Sequence, residues 1–202
     1  MKAHPLTVNG ALGPRAGRGR FATLTTMGVI AALIAAVAFL ANEATAGPEG
    51  FTSVTLSGSD RGERPTVGKA APDFLAATVD GTPVRLSDFA GRPVWLTFGA
   101  SWCQPCRAEN PDIQAMSDRF IGSGLVVLAV FISEDASAVM DYADRVALTY
   151  RMIADPDARI ASQYRIMGIA SHYFVDRAGV LRLVRIGSLD LPGMEAALTA
   201  IL

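Results

Sequence analysis

The chain has 202 residues, half of them hydrophobic, with 18 Lys and Arg against 19 Asp and Glu. That length allows one domain with extensions, and the apolar fraction is sufficient for a hydrophobic core. A formal net charge of −1 gives no reason to expect a nucleic-acid partner. Both cysteines fall within one short motif, which excludes a scaffold of several disulfides.

The N-terminal residues 1–46 are predicted to be an export segment. Residues 1–20 carry basic side chains and no acidic ones, and residues 21–41 form a largely apolar stretch without charge. This order keeps the N-terminus in the cytoplasm and places the following residues on the extracytoplasmic, periplasmic side. Either the stretch stays as a single-pass membrane anchor, or cleavage after Ala46 releases the rest as a secreted or periplasmic protein.

The remaining chain is predicted to be a linker, residues 47–66, followed by one folded domain, residues 67–202. The linker is rich in Gly, Ser, Thr, Pro and charge. The domain opens with a β-hairpin that turns at Asp80-Gly81. Strands then alternate with helices, which predicts an α/β fold with a central sheet flanked by helices. The predicted strands are 94–98, 125–132, 150–153, 171–175 and 180–186, and the predicted helices follow Cys106 and cover 136–146, 157–164 and 192–202.

The motif Trp102-Cys103-Gln104-Pro105-Cys106 lies between a predicted strand and a predicted helix. Unpaired N–H groups and the helix dipole favour negative charge at a helix start, so Cys103 is expected to be the nucleophilic thiolate. In such motifs the thiol pKa falls from about 8.5 to roughly 3.5–7.5. Cys106, one turn later and more buried, is the expected resolving thiol, and Pro105 is tolerated because a first turn does not need its N–H.

Three kinds of chemistry could use this cysteine pair. A structural zinc site needs four ligands, and the chain offers no other cysteine and only two histidines. A purely structural disulfide would close too short a loop to stabilise the fold much. Redox chemistry fits best, because C-x-x-C between a strand and a helix is a thioredoxin-like signature.

The chain resembles the thioredoxin-fold TlpA/ResA family over about residues 67–202. The most specific part of the match is Trp102-Cys103-Gln104-Pro105-Cys106-Arg107-Ala108-Glu109-Asn110-Pro111, supported by Ala71-Pro72-Asp73-Phe74, Leu86-Ser87-Asp88-Phe89 and Val175-Asp176. The resemblance implies a thioredoxin-like fold and thiol–disulfide exchange outside the cytoplasm. It also implies a disulfide-bearing or dithiol protein substrate, a membrane electron donor and no cofactor.

Three positions depart from the family pattern. Ala170 occupies the place of the usual cis-proline, so we expect a trans bond or a strained loop there, since a cis bond before a non-proline costs about 2.5–4 kcal/mol. Thr97 replaces the buried acid of thioredoxins, so the proton acceptor for Cys106 must be another group or water. Gln104 replaces an acidic residue between the cysteines, which should favour the thiolate slightly.

Three further side chains are candidates for the site. Trp102 is expected to shield Cys103 and contact substrate. Glu109 either tunes a thiol or, as is ordinary for carboxylates, lies in solvent, and we expect the latter. His172, the only histidine outside the N-terminal flank, could join Cys103 and Cys106 in a Cu(I) site; a strand histidine pointing elsewhere is the simpler expectation.

The sequence thus predicts an exported, membrane-tethered thiol–disulfide oxidoreductase. Its catalytic residues would be Cys103 and Cys106, and its substrates disulfides of exported proteins, of the cytochrome c or copper-site maturation type. The alternative is a Cu(I)-binding, metallochaperone-like module that uses the two cysteines and His172. A peroxidase fits less well, because it would need a lone peroxidatic thiol.

Overall fold

The structure, a computed structural model, describes residues 55–56 and 64–202. The predictions for residues 1–46, and most of those for the linker 47–66, lie outside the described residues. Within the described part, no helix combines the length and apolar character that a bilayer crossing needs.

Eight strands and four α-helices form the described chain. The strands are β1 (Thr55–Leu56), β2 (Phe74–Ala77), β3 (Pro83–Arg85), β4 (Val94–Gly99), β5 (Val126–Ile132), β6 (Arg151–Asp155), β7 (Ser171–Val175) and β8 (Leu181–Ile186). The helices are α1 (Gln104–Phe120), α2 (Ala136–Val146), α3 (Arg159–Gln163) and α4 (Leu191–Thr199).

The central sheet has five strands in the order β6-β5-β4-β7-β8. Strands β4, β5 and β6 run parallel, because helices carry the chain back between them, whereas β7 and β8 pair antiparallel. The predicted mixed sheet flanked by helices, a thioredoxin-like fold, is confirmed. Because β4 is central, the loop that leaves its carboxyl end starts from the most rigid part of the sheet.

Each face of the central sheet carries its own hydrophobic core. The continuous apolar runs of β4 and β5 are typical of strands buried on both sides, and alternate residues divide between the faces. Trp95 and Phe174 join the core beneath α1, α2 and α4. Leu96 and Phe98 join the opposite core, beneath the N-terminal strands and α3.

The N-terminal extension is a three-stranded sheet in the order β1-β2-β3. Strands β2 and β3 form the predicted hairpin around Asp80-Gly81, and Gly81 has a φ of +85°, which glycine adopts without strain. Strand β1 pairs Thr55 with Leu75 and Leu56 with Phe74. Two residues of the predicted linker therefore take part in sheet pairing.

Asp155, at the end of β6, fixes the start of α3. Its carboxylate accepts from the backbone N–H groups of Arg159, Ile160 and Ala161, at 2.8, 3.2 and 2.9 Å. The helix therefore begins later than the predicted position 157. Burial raises the pKa of Asp155, while these three N–H groups act against that rise.

Replacing Asp155 with Ala is expected to lower the free energy of unfolding by about 2 kcal/mol, because buried N–H groups lose their acceptor. Chemical denaturation of the purified chain measures this. Because the folded pKa is raised, the contribution of this group's titration to stability falls as pH rises through that pKa. The exposed Asp157→Ala is the control and should change stability by less than about 0.5 kcal/mol; equal effects would contradict the role given to Asp155.

Candidate active site

The cysteine pair lies in the loop that leads from β4 into α1. The N–H of Cys103 donates to the carbonyl of Ala100 at 3.2 Å, and Cys103 then caps α1. Its Sγ accepts from the N–H of Cys106 at 3.3 Å. The predicted placement at a helix start is therefore confirmed, with Pro105 in the first turn and one backbone N–H, that of Cys106, directed at the sulfur of Cys103.

The two cysteines are joined as a disulfide. Both are buried, Cys106 more deeply, with 3% of its surface exposed against 6% for Cys103. A Cβ at Gly99 would lie 3.4 Å from the Sγ of Cys106, so Cys106 packs directly against the β4 backbone. Cys103 is the slightly more exposed of the two, which fits the attacking role expected for it.

Trp102, immediately before the pair, is exposed over 63% of its surface. An indole in that state contributes little to the core, so ordinary packing does not explain it. Met167 and Ile186 are also exposed large apolar residues, on the loop before β7 and at the end of β8. Trp102 is thus available for contact with a substrate, as expected.

Ala170 packs against both cysteines and is buried. The Ile169–Ala170 peptide bond is cis, so the first of the two expected alternatives, a trans bond, is wrong. The surrounding backbone is held by pairing: Ser171 opens β7 opposite Phe98, and the carbonyl of Ala170 accepts from the N–H of Gly187 at 2.8 Å. The position that replaces the family's proline therefore lies beside the disulfide.

Glu134, just after β5, holds the start of the cysteine loop. Its carboxylate accepts from the backbone N–H of Ser101 at 2.7 Å and also from the hydroxyl of Ser101. Glu134 is buried, so this double acceptor contributes more than an exposed pair would. No local pattern predicts this contact, because the two residues follow different strands and lie 33 positions apart.

Glu109 is buried, with 4% of its surface exposed, so the expectation of a solvated carboxylate is wrong. The α1 face that carries Cys106 turns inward, and Glu109 follows it one helical turn later. Its Oε2 accepts from the N–H of Leu189 at 3.0 Å, in the segment before α4. Glu109 is therefore a buried carboxylate one helical turn after the expected resolving thiol, on the same helix.

His172 is fully buried in β7, directly opposite Thr97 of β4. Its Nδ1 lies 3.3 Å from the indole nitrogen of Trp95 and 3.1 Å from the hydroxyl of Thr97. Its Nε2 lies 3.5 Å from the Oε2 of Glu109. The ring therefore points toward Glu109 of α1.

Tyr150 belongs to the same buried region. Burial, together with the nearby Tyr142 and Glu109, raises the pKa of Tyr150 well above its usual value. Its phenol therefore stays neutral throughout the physiological range. It contributes a polar but uncharged boundary to the space around Glu109.

The copper alternative required Cys103, Cys106 and His172 to converge. Among residues 55–56 and 64–202, no three or more His, Cys, Asp or Glu side chains form a group that could hold a metal ion. Nδ1 of His172 lies within hydrogen-bonding distance of Trp95 and Thr97, while Nε2 faces Glu109. The structure therefore does not assemble the predicted copper ligands.

In this structure the cysteine that caps α1 is bonded to a second cysteine one turn later, and the pair follows the central strand of a mixed sheet. This arrangement defines a thiol–disulfide oxidoreductase of thioredoxin-like fold. The comparison with known proteins agrees. The chain belongs to the AhpC/TSA family, whose model matches residues 67–184.

Named relatives support the same class. The chain is 29% identical over 135 residues to the thiol-disulfide oxidoreductase ResA of Geobacillus kaustophilus, covering 67% of this chain and 78% of the relative. It is 32% identical to the thioredoxin-like protein YneN of Bacillus subtilis, covering 65% and 78%. The crystal structure of a thiol:disulfide interchange protein, DsbE, from Chlorobium tepidum superposes with a TM-score of 0.62 at 29% identity, covering 67% and 96%.

Proposed function

We propose that this oxidoreductase works outside the cytoplasm as a reductant of disulfides in exported proteins, in cytochrome c or copper-site maturation. Its N-terminal segment tethers it to the membrane, and a membrane electron donor returns it to the dithiol form. The observation that carries the proposal is the disulfide at the cap of α1, with exposed Trp102 beside it.

The reaction has two exchange steps. The Cys103 thiolate attacks a substrate disulfide, so a Cys103–substrate bond forms and one substrate thiolate leaves. Cys106 then loses its proton and attacks the Cys103 sulfur, which closes the Cys103–Cys106 bond and releases the second substrate thiolate. Two electrons pass from the dithiol to the substrate, and each released thiolate takes up a proton.

The direction of electron flow is testable by the reduction potential of the full chain. Equilibration with thiol–disulfide buffers in detergent solution is expected to give a value more negative than about −200 mV, in the range of reducing thioredoxins. A potential near about −120 mV, typical of a strong oxidant, would overturn the reductant assignment while leaving exchange chemistry intact.

The location is testable in cells. The full chain is expected in the membrane fraction, resistant to alkaline carbonate, with its C-terminal domain open to protease added from the extracytoplasmic side. A matched chain lacking residues 1–46 is the control and should stay in the cytoplasm. Recovery of the full chain in the cytoplasmic fraction contradicts the proposal.

A further inference from the structure

The buried groups beneath the cysteine loop form a chain of contacts across two strands and a helix. From β4, Trp95 and Thr97 meet the Nδ1 of His172, and from α1, Glu109 faces its Nε2. All four side chains are buried, so bulk water does not mediate between them. The protonation of His172 is therefore set by its neighbours.

The contact with Trp95 determines which imidazole nitrogen carries the proton. An indole N–H can only donate, so Nδ1 of His172 must accept. A neutral imidazole that accepts at Nδ1 carries its proton on Nε2. A proton on Nδ1 would leave the buried indole N–H of Trp95 without this acceptor.

The assigned Nε2–H is aimed at Glu109. Within the described residues, Nε2 makes no complete hydrogen bond, and Oε2 of Glu109 lies 3.5 Å away. The Nε2–H can donate to Glu109 if this separation shortens during the reaction, as catalytic hydrogen bonds often do. The second Glu109 contact, from the N–H of Leu189 at 3.0 Å, is already formed.

We propose that His172 is a positioning residue for proton transfer at Cys106: held as the neutral Nε2–H tautomer by Trp95, it orients and stabilises the Glu109 carboxylate that takes the Cys106 proton. The proposal deepens the exchange reaction and rests on it. When Cys106 attacks the mixed disulfide, its proton moves to Glu109. The carboxylic acid then returns that proton to solvent or to the departing substrate thiolate.

Few other ionisable groups face this pair. On α1, Cys106 precedes Glu109 by one turn, and Tyr150, before β6, carries a phenol that stays neutral. Strand β4 contributes Trp95 and Thr97, which do not ionise. The titratable groups on the neighbouring elements either have other partners or are exposed. Tyr142 accepts from Asn110, Asp190 caps α4, and Glu195 pairs with Arg119. Arg185, opposite His172 on β8, is exposed.

The two thiol steps can be separated in one experiment. The reduced full chain is mixed with an excess of a nitrothiobenzoate disulfide, which releases one coloured thiolate when Cys103 attacks and a second when Cys106 closes the bond. Stopped-flow absorbance between about pH 5 and pH 9 then gives a pH profile for each step. Only the second profile should depend on the contacts of His172.

His172→Phe keeps a ring of similar shape but removes the N–H that faces Glu109. We expect the second step to slow about tenfold at neutral pH, and its acid limb to move to higher pH, because the ionised carboxylate loses a donor. His172→Gln can still donate to Glu109, so the acid limb of its second step should lie close to that of wild type. The first step should stay within about twofold of wild type in both.

Trp95→Phe is expected to shift the acid limb of the second step in the opposite direction. Without the indole N–H, Nδ1 can take a proton and donate it to the hydroxyl of Thr97. A cationic imidazole would then face Glu109 and keep it ionised in more acidic solution, so the acid limb of the second step should move to lower pH. General loosening of the core cannot shift the two variants in opposite directions.

Phe174→Leu is the matched control, because Phe174 stacks on Trp95 at a centroid distance of 5.3 Å without joining the polar contacts. It should lower stability and leave both pH profiles unchanged. The proposal is overturned if His172→Phe has the wild-type second profile, or if His172→Phe and Trp95→Phe shift it in the same direction. Should His172→Phe fail to fold, Trp95→Phe still decides, because a wild-type second profile in that variant also overturns the proposal. If the variants show these shifts but the wild-type chain does not reduce a protein disulfide, the proposed function alone is refuted.

Discussion

Cys103→Ser is expected to reduce insulin at the uncatalysed background rate, whereas Cys106→Ser is expected to accumulate as a covalent complex with its substrate. Cys103 is the more exposed of the two cysteines and lies at the helix cap, so its loss removes the first attack. Without Cys106 the first attack still occurs, but no neighbouring thiol resolves the bond. Turbidity measurements follow the first effect, and non-reducing gels show the second.

Both variants should remain folded, because a disulfide closing so short a loop contributes little to stability. Thermal unfolding followed by circular dichroism is the control, and the double variant Cys103→Ser with Cys106→Ser should neither reduce nor cross-link. A wild-type rate in Cys103→Ser would remove the enzymatic assignment. Equal cross-linking in the two single variants would remove the division of roles between the cysteines.

Glu109→Gln is expected to slow the closing of the Cys103–Cys106 bond about 100-fold at neutral pH, while the first attack changes little. The amide still accepts from the N–H of Leu189 but cannot take a proton from Cys106. The two-step thiolate release from the nitrothiobenzoate reagent measures both rates in one trace.

The matched control for this substitution is Glu195→Gln on α4, which changes the same chemistry at the surface, where Glu195 pairs with Arg119. Its two rates should equal those of the unaltered chain, since exposed ion pairs contribute little. If Glu109→Gln and Glu195→Gln behave alike, Glu109 does not accept the proton.

The fold and the cysteine pair could be predicted because their signals are local. Continuous apolar runs marked β4 and β5, and alternation with helices marked the α/β class. The C-x-x-C motif is contiguous, so its position between β4 and α1 followed from sequence order alone. The ends of the elements were less predictable. Helix α3 begins only at Arg159, because the carboxylate of Asp155 accepts from the first backbone N–H groups of that helix.

The polar contacts of Glu109 and His172 could not be predicted, because they depend on strand register and on contacts between segments that are distant in sequence. Glu109 is expected in solvent from its residue type, and its burial comes from Leu189, 80 positions later. His172 faces α1 because it pairs with Thr97 in the antiparallel β4–β7 register, which no local pattern reveals. The cis bond before Ala170 likewise contradicts the preference of a non-proline residue.

The hydrogen bond from Leu189 to Glu109 links the site to a segment that lies 80 positions later in the chain. Cys103 and Cys106 leave the ribosome well before β7 and α4 exist, so a growing chain carries a reactive thiol pair that still lacks the residues beneath it. The site is completed only when the C-terminal segment folds back onto the sheet. The order of synthesis therefore delays the full exchange activity until the segment before α4 has been made.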